Sequence, residues 1–265
     1  MNSYQNDFNK HDLKTAVILC GGKGTRLGLL GKKLPKSLVQ VQKKTILWFI
    51  LKSLKKNKFN HFILPVGYKG DKIRKYVKSN KIFRKYNIDI VETGIKTSIA
   101  KRIYKIKNHI GSRNFLLLNG DAIFDANLSL EFNKHVKNKF DITFICSEAE
   151  ADFGIVETLN GKIVNFQRNL DFRSVKTENK NFLGHVYSGM ALINKKILNE
   201  NFKDKKNFEK DFYPTVIKKY RSNIYNLKGF WYAMDNIKDI DSLNRKANNK
   251  KSYFMIKKLL KKLND

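Results

Sequence analysis

Residues Ala16–Leu27 read AVILCGGKGTRL, and a Pro35-Lys36 pair follows eight positions later. The first five residues form an apolar, partly β-branched run of strand length. The glycine-rich part then exposes backbone N–H groups with little side-chain bulk around them, and such a row cradles phosphate oxygens. Arg26 and Lys36 place fixed positive charge beside that cradle. The stretch therefore predicts a strand that opens into a loop suited to a nucleoside triphosphate.

Further apolar runs of strand length alternate with helical patterns through the first half of the chain. This alternation predicts an α/β fold with a mostly parallel mixed sheet and helices on both faces. The clearest helical pattern is Thr45–Lys56, with Thr45 as the N-cap, and Asp71–Lys78 and Ser98–Asn108 are weaker. The predicted strands are Ala16–Cys20, Phe62–Val66, Ile88–Glu92, Phe115–Leu118 and Ile142–Cys146.

After Cys146 the pattern changes to shorter strands, and Asn160-Gly161 is a hairpin turn signal. We expect a small antiparallel substrate portion here, followed by a long helical tail after Asp235. The predicted short strands are Gly154–Thr158, Lys162–Gln167, Val186–Ile193 and Ile224–Leu227.

The chain divides into a polar N-terminal extension at 1–14, one domain at 15–245 and a basic amphipathic helix at 246–265. In that helix four apolar residues share one face: Ile256, Leu259, Leu260 and Leu263. We expect this face to pack on its own domain or a neighbouring subunit in a homo-oligomer, in preference to a membrane surface.

Composition narrows the classes of partner. The formal net charge of +31 raises the hypothesis of a nucleic-acid partner, but only nine of the 54 basic residues are arginines. The other 45 are lysines, and they are scattered along the chain. A lysine-rich composition of this kind is what an AT-rich genome tends to encode, so we expect no nucleic-acid partner. No apolar run approaches the roughly 20 residues of a membrane span. The polar start carries no secretion signal, so we expect a cytoplasmic protein with two buried, reduced thiols at Cys20 and Cys146.

Carboxylates that follow strands are the candidates for holding a metal ion. Asp121 comes just after the buried run Phe115–Leu118, at the sheet edge where open α/β folds bind ligands. Asp235 ends the stretch GFWYAMD at 229–235. Mg²⁺ takes one or two carboxylates and completes its shell with water and phosphate, so both residues suit it. Asp125 could equally hold a metal or cap the next helix, and the five histidines show no metal-ligand spacing.

The motif at Gly21–Lys36 resembles that of the sugar-phosphate nucleotidyltransferases, G-G-x-G-T-R-L followed by P-K. The resemblance extends over roughly Thr15 to Asn244. Within this family the chain looks most like the glucose-1-phosphate cytidylyltransferases. The matching segments are ILWFI at 46–50, VGYKG at 66–70, VETG at 91–94 and GFW…MD at 229–235.

The resemblance implies a Rossmann-like sheet of the nucleotide-diphospho-sugar transferase type, Mg²⁺ dependence and a role in nucleotide-sugar biosynthesis for cell-surface polysaccharides. It also implies that Arg26 stabilises departing pyrophosphate, that Lys36 bridges the phosphates of nucleotide and sugar, and that Asp121 and Asp235 hold Mg²⁺. The implied nucleotide-binding residues are Gly21, Gly22, Gly24, Thr25, Thr93, Gly94, Arg102 and Gly120.

Three departures from the family pattern concern mainly the sugar side. The family's E-K-P is Gln167-Arg168-Asn169 here, its N-G-G is Tyr187-Ser188-Gly189, and the cytidylyltransferases' G-G-R is Ala100-Lys101-Arg102. Arg168 could replace the lysine that contacts the sugar phosphate, and Tyr187 and Gly189 complete the expected substrate side. Retained chemistry with a changed acceptor is the reading that these substitutions favour.

We therefore expect an enzyme that forms an NDP-sugar and pyrophosphate from a nucleoside triphosphate, CTP favoured, and a sugar 1-phosphate. GTP, UTP or dTTP as donor stays open, and so does another hexose, a heptose or a non-sugar phosphate as acceptor. Two alternatives of other classes are a catalytically weak regulatory relative and a nucleic-acid-binding protein.

Overall fold

The apolar run before the glycine-rich loop forms strand β1 within a seven-stranded sheet. The computed structural model describes residues 13–150, 155–160, 162–167, 171–172, 174–176, 183–200, 202, 207–245 and 251–264. Its strands are β1 (Thr15–Leu19), β2 (Gln40–Val41), β3 (Lys44–Thr45), β4 (His61–Val66), β5 (Asn87–Glu92), β6 (Asn114–Asn119), β7 (Ala122–Phe124), β8 (Ile142–Cys146), β9 (Ala149–Glu150), β10 (Ile155–Leu159), β11 (Lys162–Gln167), β12 (Asp171–Phe172), β13 (Ser174–Lys176), β14 (Leu183–His185), β15 (Tyr187–Asn194), β16 (Ser222–Asn226) and β17 (Trp231–Ala233).

Eight α-helices accompany these strands in the described part of the chain. They are α1 (Gly28–Lys33), α2 (Ile46–Lys56), α3 (Gly70–Ser79), α4 (Ile99–Ile106), α5 (Leu128–Lys137), α6 (Tyr213–Lys219), α7 (Ile237–Asn244) and α8 (Lys251–Asn264). Short 3₁₀ segments occur at Thr25–Leu27, Lys36–Leu38, Phe83–Lys85 and Lys195–Asn199, and a π-helical turn at Phe208–Phe212.

The large sheet has the order β16-β8-β15-β6-β1-β4-β5. Strands β6, β1, β4 and β5 pair in parallel, β16 pairs in parallel with β8, and β15 runs antiparallel to both β6 and β8. The predicted mixed, mostly parallel sheet is confirmed. Because the parallel strands end at one edge, the loops after β1, β4, β5 and β6 all meet there.

Both faces of this sheet are buried, which explains the continuous apolar runs in its strands. Val17 packs in one hydrophobic cluster and Ile18 in the other, since successive side chains of a strand point to opposite faces. Helices α2 and α8 contribute to the cluster that contains Ile18, and α4 and α6 to the one that contains Val17.

The helix that the sequence predicts at Thr45–Lys56 is observed as α2, and the Thr45 side chain accepts a hydrogen bond from the Trp48 N–H as its N-cap. The long helical tail is observed as two helices, α7 and α8. Ile256, Leu259 and Leu263 are buried against the rest of the chain. The predicted turn at Asn160 joins β10 to β11 as an antiparallel pair, and Asn160 has the positive φ of 50° that such a turn requires. Helices α1 and α6 were absent from the sequence prediction, and α5 was expected only as the helix that Asp125 could cap.

His135, near the end of α5, is buried in the fold. Its Nδ1 lies 2.8 Å from Thr143 Oγ1, while Nε2 has no hydrogen-bond partner among the described residues. Burial lowers the pKa of His135 to about 4, and the charge of Asp141 offsets only part of that effect. In the unfolded chain the pKa would be near the usual ~6.5.

We expect the free energy of unfolding to fall as the pH is lowered from about 6.5 to about 4. In this window the unfolded chain binds the proton that folded His135 excludes, so stability rises with pH, by about 3 kcal/mol in all. His135→Gln should flatten this part of a urea-unfolding pH profile, whereas His109→Gln, at an exposed position, should not. Equal slopes in the two variants would contradict the assignment.

Candidate functional site

One ammonium group joins two carboxylates that lie far apart in the sequence. Lys36 Nζ lies 2.8 Å from Asp121 Oδ2 and 3.0 Å from Asp235 Oδ1. Arg26 Nη1 approaches the other oxygen of Asp235 at 3.4 Å. The structure thus brings together the four charged residues that the sequence singled out.

The two aspartates meet because short strands on either side of them pair. Strand β7 follows Asp121 directly, β17 ends two residues before Asp235, and the two strands form an antiparallel ladder with Ala122 opposite Ala233. The Met234 N–H donates to the Asp121 carbonyl at 3.0 Å, which closes the ladder beside the site. Asp239 accepts from the backbone N–H of Asp235 and fixes it at the start of α7.

Lys36 is held at the site by its surroundings. It begins a 3₁₀ turn after Pro35, and its side chain is only 17% exposed. Burial by itself lowers the pKa of Lys36, but the charges of Asp121 and Asp235 and the hydrogen bonds to them outweigh burial, so the pKa is raised above its usual value. Lys36 therefore stays positively charged at neutral pH.

The glycine-rich loop turns sharply between β1 and the first 3₁₀ segment. Gly24 has φ +60° and its carbonyl accepts from the Leu27 N–H at 3.0 Å, so a residue with a side chain would be strained there. Gly31, in α1, packs onto this turn so closely that a Cβ on it would lie 2.3 Å from the Gly24 carbonyl oxygen. The short helix α1 thus packs against the loop and supports its turn.

Arg102 lies beneath the same loop and is 5% exposed. Its Nη2 donates to the Gly21 carbonyl at 2.9 Å, and its Nη1 donates to the Val66 carbonyl at 3.2 Å and to Thr93 Oγ1. Burial lowers the pKa of Arg102, and the charge of Glu92 works against that shift. An arginine remains protonated under any condition that keeps a protein folded.

A cavity of about 530 Å³ opens over the loop, the Lys36 site and α4. Ten of the predicted site residues line it: Gly21, Gly22, Gly24, Thr25, Arg26, Lys36, Arg102, Gly120, Asp121 and Asp235. Gly120 must be small here, because a Cβ would come within 2.7 Å of the Leu19 carbonyl oxygen. The cavity is also lined by four residues that were not predicted as site residues: Ile95, Thr97, Ser98 and Ile99. These residues follow β5 at the same sheet edge as the glycine-rich loop, and this position could have identified them as site residues.

The other predicted residues lie elsewhere. Thr93 is fully buried, so it contacts Arg102 instead of lining the described cavity, and Gly94 follows it with φ +97°. Tyr187 hydroxyl lies 3.0 Å from Tyr213 hydroxyl, and burial raises the pKa of Tyr187 well above its usual value. Gly189, with φ +76°, sits against the Asn119 side chain. Arg168 lies outside the described residues.

Asp125 does not take the capping role that the sequence allowed it. Asn127 caps helix α5, and Asp125 pairs with Lys262 of α8 beside a separate cavity.

Among the described residues no three His, Cys, Asp or Glu side chains form a metal-binding cluster. Both cysteines are buried and free, and burial raises the pKa of the Cys20 thiol to about 12. In the described part of the chain, no helix combines the length and the apolar character needed to cross a bilayer.

Comparison with known proteins agrees with this geometry. The family model for "Nucleotidyl transferase" matches residues 15–250. The chain is 30% identical over 253 residues to the "Probable glucose-1-phosphate cytidylyltransferase" of Bacillus subtilis, with 88% of this chain and 96% of that protein covered. It is 28% identical to the D-glycero-alpha-D-manno-heptose 1-phosphate guanylyltransferase of Aneurinibacillus thermoaerophilus, with 74% of this chain and 82% of that protein covered.

A solved structure shares the fold. The crystal structure of HddC from Yersinia pseudotuberculosis, complexed with GMP-PN, superposes with a TM-score of 0.66 at 21% identity, and the match covers 86% of this chain and 97% of that one. The predicted nucleotide-diphospho-sugar transferase architecture is confirmed at the level of the fold.

Proposed function

The chain belongs to the nucleotidyl transferase family, among the sugar-1-phosphate nucleotidyltransferases, and on that premise we propose that it makes a CDP-sugar from CTP and a sugar 1-phosphate. The observation that carries the proposal is the convergence of Arg26, Lys36, Asp121 and Asp235 on a cavity floored by a glycine-rich loop. The preference for CTP rests on the similarity to the Bacillus subtilis relative.

In the proposed reaction, a phosphate oxygen of the sugar 1-phosphate forms a bond to the α-phosphorus of the nucleotide. The bond between that phosphorus and the oxygen that bridges to the β-phosphate breaks, and its electron pair leaves with pyrophosphate. The attacking oxygen is already anionic at neutral pH, so no general base is needed. The remaining work is alignment and neutralisation of phosphate charge.

The cationic side chains of the site suit that work. Lys36, half-buried and charged, lies where it can move from the carboxylates to the phosphates of both substrates. Arg26 is 75% exposed at the mouth of the cavity and is free to swing toward the departing pyrophosphate. The Gly21–Gly24 backbone offers N–H groups to the triphosphate.

The carboxylate pair fits a magnesium ion. Asp121 and Asp235 already converge on one cation, Lys36 Nζ, so their oxygens are spaced to share a positive charge. Two carboxylates with water and phosphate oxygens form the ligand set that Mg²⁺ prefers. When bound, Mg²⁺ would lower the charge on the phosphates; Asp121 and Asp235 would hold it against the loop.

A second candidate differs in both substrates. The similarity to the heptose 1-phosphate guanylyltransferase, and the guanine nucleotide analogue named with the HddC structure, favour GTP and a heptose 1-phosphate. The transfer chemistry and the roles of the four charged residues are the same in this candidate.

A matrix of CTP, GTP, UTP and dTTP against hexose and heptose 1-phosphates distinguishes the candidates. With Mg²⁺ present, we expect pyrophosphate release and a nucleotide-sugar product with CTP and one sugar 1-phosphate, because the loop and the lysine neutralise triphosphate charge. Turnover with GTP and a heptose 1-phosphate would favour the second candidate. No turnover with any pair would contradict nucleotidyl transfer and leave the regulatory-relative hypothesis.

Asp121→Asn should lower kcat for pyrophosphate release by about 100-fold or more, since it removes one of two carboxylates that hold the metal. Asp125→Asn is the matched control, because this neighbouring aspartate pairs with Lys262 away from the cavity. We expect near-normal kcat from the control. Equal activities in the two variants would remove Asp121 from the metal site.

Lys36→Ala should lower kcat/KM by about 100-fold while leaving the protein folded, because the residue lies in a short turn and contributes charge more than packing. Lys32→Ala, at an exposed position in α1, is the control for loss of a lysine near the loop. Kinetics that match the wild type in Lys36→Ala would refute its role in binding the phosphates.

A further inference from the structure

The buried Arg102 guanidinium forms its described hydrogen bonds with neutral acceptors, although the charge of Glu92 also acts on it. Its three described hydrogen bonds go to the carbonyls of Gly21 and Val66 and to the hydroxyl of Thr93. These acceptors lie at the ends of three different strands: Gly21 follows β1, Val66 is the last residue of β4 and Thr93 follows β5. One side chain from α4 therefore ties together three of the strand ends that form the ligand-binding edge.

Two glycines create the space that this guanidinium fills. A Cβ on Gly21 would lie 2.2 Å from Arg102 Nη1, and a Cβ on Gly67 would lie 2.7 Å from the same atom. Gly21 does not have the positive φ that would require glycine. Its lack of a side chain is explained by Arg102 alone among the contacts described.

Thr93 fixes the orientation of the guanidinium from the other side. Its hydroxyl donates to the Val66 carbonyl at 2.6 Å, which leaves its lone pairs for Arg102 Nη1. Thr97 and Lys105 both donate to the Thr93 carbonyl, so the threonine itself is held in place. The planar, rigid fork of the guanidinium can reach all three acceptors at once.

The bond to the Gly21 carbonyl sets the direction of the next N–H group. In a planar trans peptide the C=O and the following N–H point in opposite directions. The described chain contains no cis peptide bond, so the Gly22 N–H points away from Arg102. Gly22 lines the cavity, and a Cβ on it would meet nothing within 4 Å. The Gly22 position is therefore open to the cavity, and its N–H points away from the buried guanidinium.

We propose that Arg102 is a positioning residue of the phosphate-binding loop, which acts through the Gly21 carbonyl to present the Gly22 N–H to the triphosphate. It makes no contact with the nucleobase in this role, in contrast to the direct nucleotide contact that the family resemblance implies. The inference rests on the proposed function, since it assumes that the cavity binds a nucleoside triphosphate.

Calorimetric binding of two ligands separates positioning from base contact. CTP and inorganic tripolyphosphate, each with Mg²⁺, are titrated into the wild type, Arg102→Met and Arg102→Lys at a temperature where all three are folded. Both variants should lower the affinity for CTP and for tripolyphosphate by the same factor, about tenfold or more. Arg102→Lys keeps the charge but cannot form the three-way fork. Lys101→Met, exposed on the same helix, is the charge control and should change each affinity less than about twofold.

Loss of CTP affinity without loss of tripolyphosphate affinity would overturn the proposal in favour of a base contact. Unchanged affinity for both ligands would overturn it as well. Binding is measured here without a sugar phosphate, so this test does not depend on turnover. If the wild type binds both ligands but turns over no substrate pair, the proposed function is refuted and the role of Arg102 can still be tested. A wild type that binds neither ligand would contradict the inference itself.

Gly21→Ala supplies a second route that leaves Arg102 unchanged in sequence. The added methyl group displaces the guanidinium. Gly21→Ala alone should therefore lower the affinity for tripolyphosphate as much as Arg102→Met does. The double variant should then be no weaker than either single variant, within about twofold. Losses that multiply in the double variant would show two independent contacts and contradict positioning through Gly21.

Discussion

The site depends on a single ammonium group that neutralises two carboxylates. Without Lys36, Asp121 and Asp235 would repel each other across the short β7–β17 ladder that brings them together. With it, the site is preorganised around a central positive charge before any ligand arrives. In the proposed function, a phosphate ligand draws the lysine away, and a divalent cation then occupies the place between the carboxylates. The same interaction thus accounts for the geometry of the site.

The sheet determines which residues can take part in that interaction. β1 lies between β4 and β6, so the loop after β1 faces the ends of both neighbours. Asp121 comes from the β6 end, and the acceptors of Arg102 come from the ends of β1, β4 and β5. The glycine-rich loop is consequently held on two sides, by the charged cluster on one and by a buried guanidinium on the other.

Much of this arrangement could be predicted from the sequence, because the signals were local. Apolar runs gave the central strands to within a few residues, and the Gly21–Lys36 motif identified the loop. Asp121 and Asp235 could be proposed as neighbours because each stands beside a strand in a recognised motif. The contact between Arg102 and Gly21 could not be predicted, since it joins residues 81 positions apart and no periodicity marks it. Asp125 was ambiguous for the same reason, because its partner Lys262 lies 137 positions away in α8.

The Lys36 ammonium lies between Asp121 and Asp235, in the place that we propose for the metal ion. Mn²⁺ binding to the nucleotide-free protein, followed by electron paramagnetic resonance, tests it directly. We expect weak binding to the wild type and at least about tenfold tighter binding to Lys36→Met, because the competing ammonium is gone. The gain should vanish when Asp121→Asn is added. Equal Mn²⁺ affinity in the wild type and Lys36→Met, or a gain that survives the loss of Asp121, would contradict the claim.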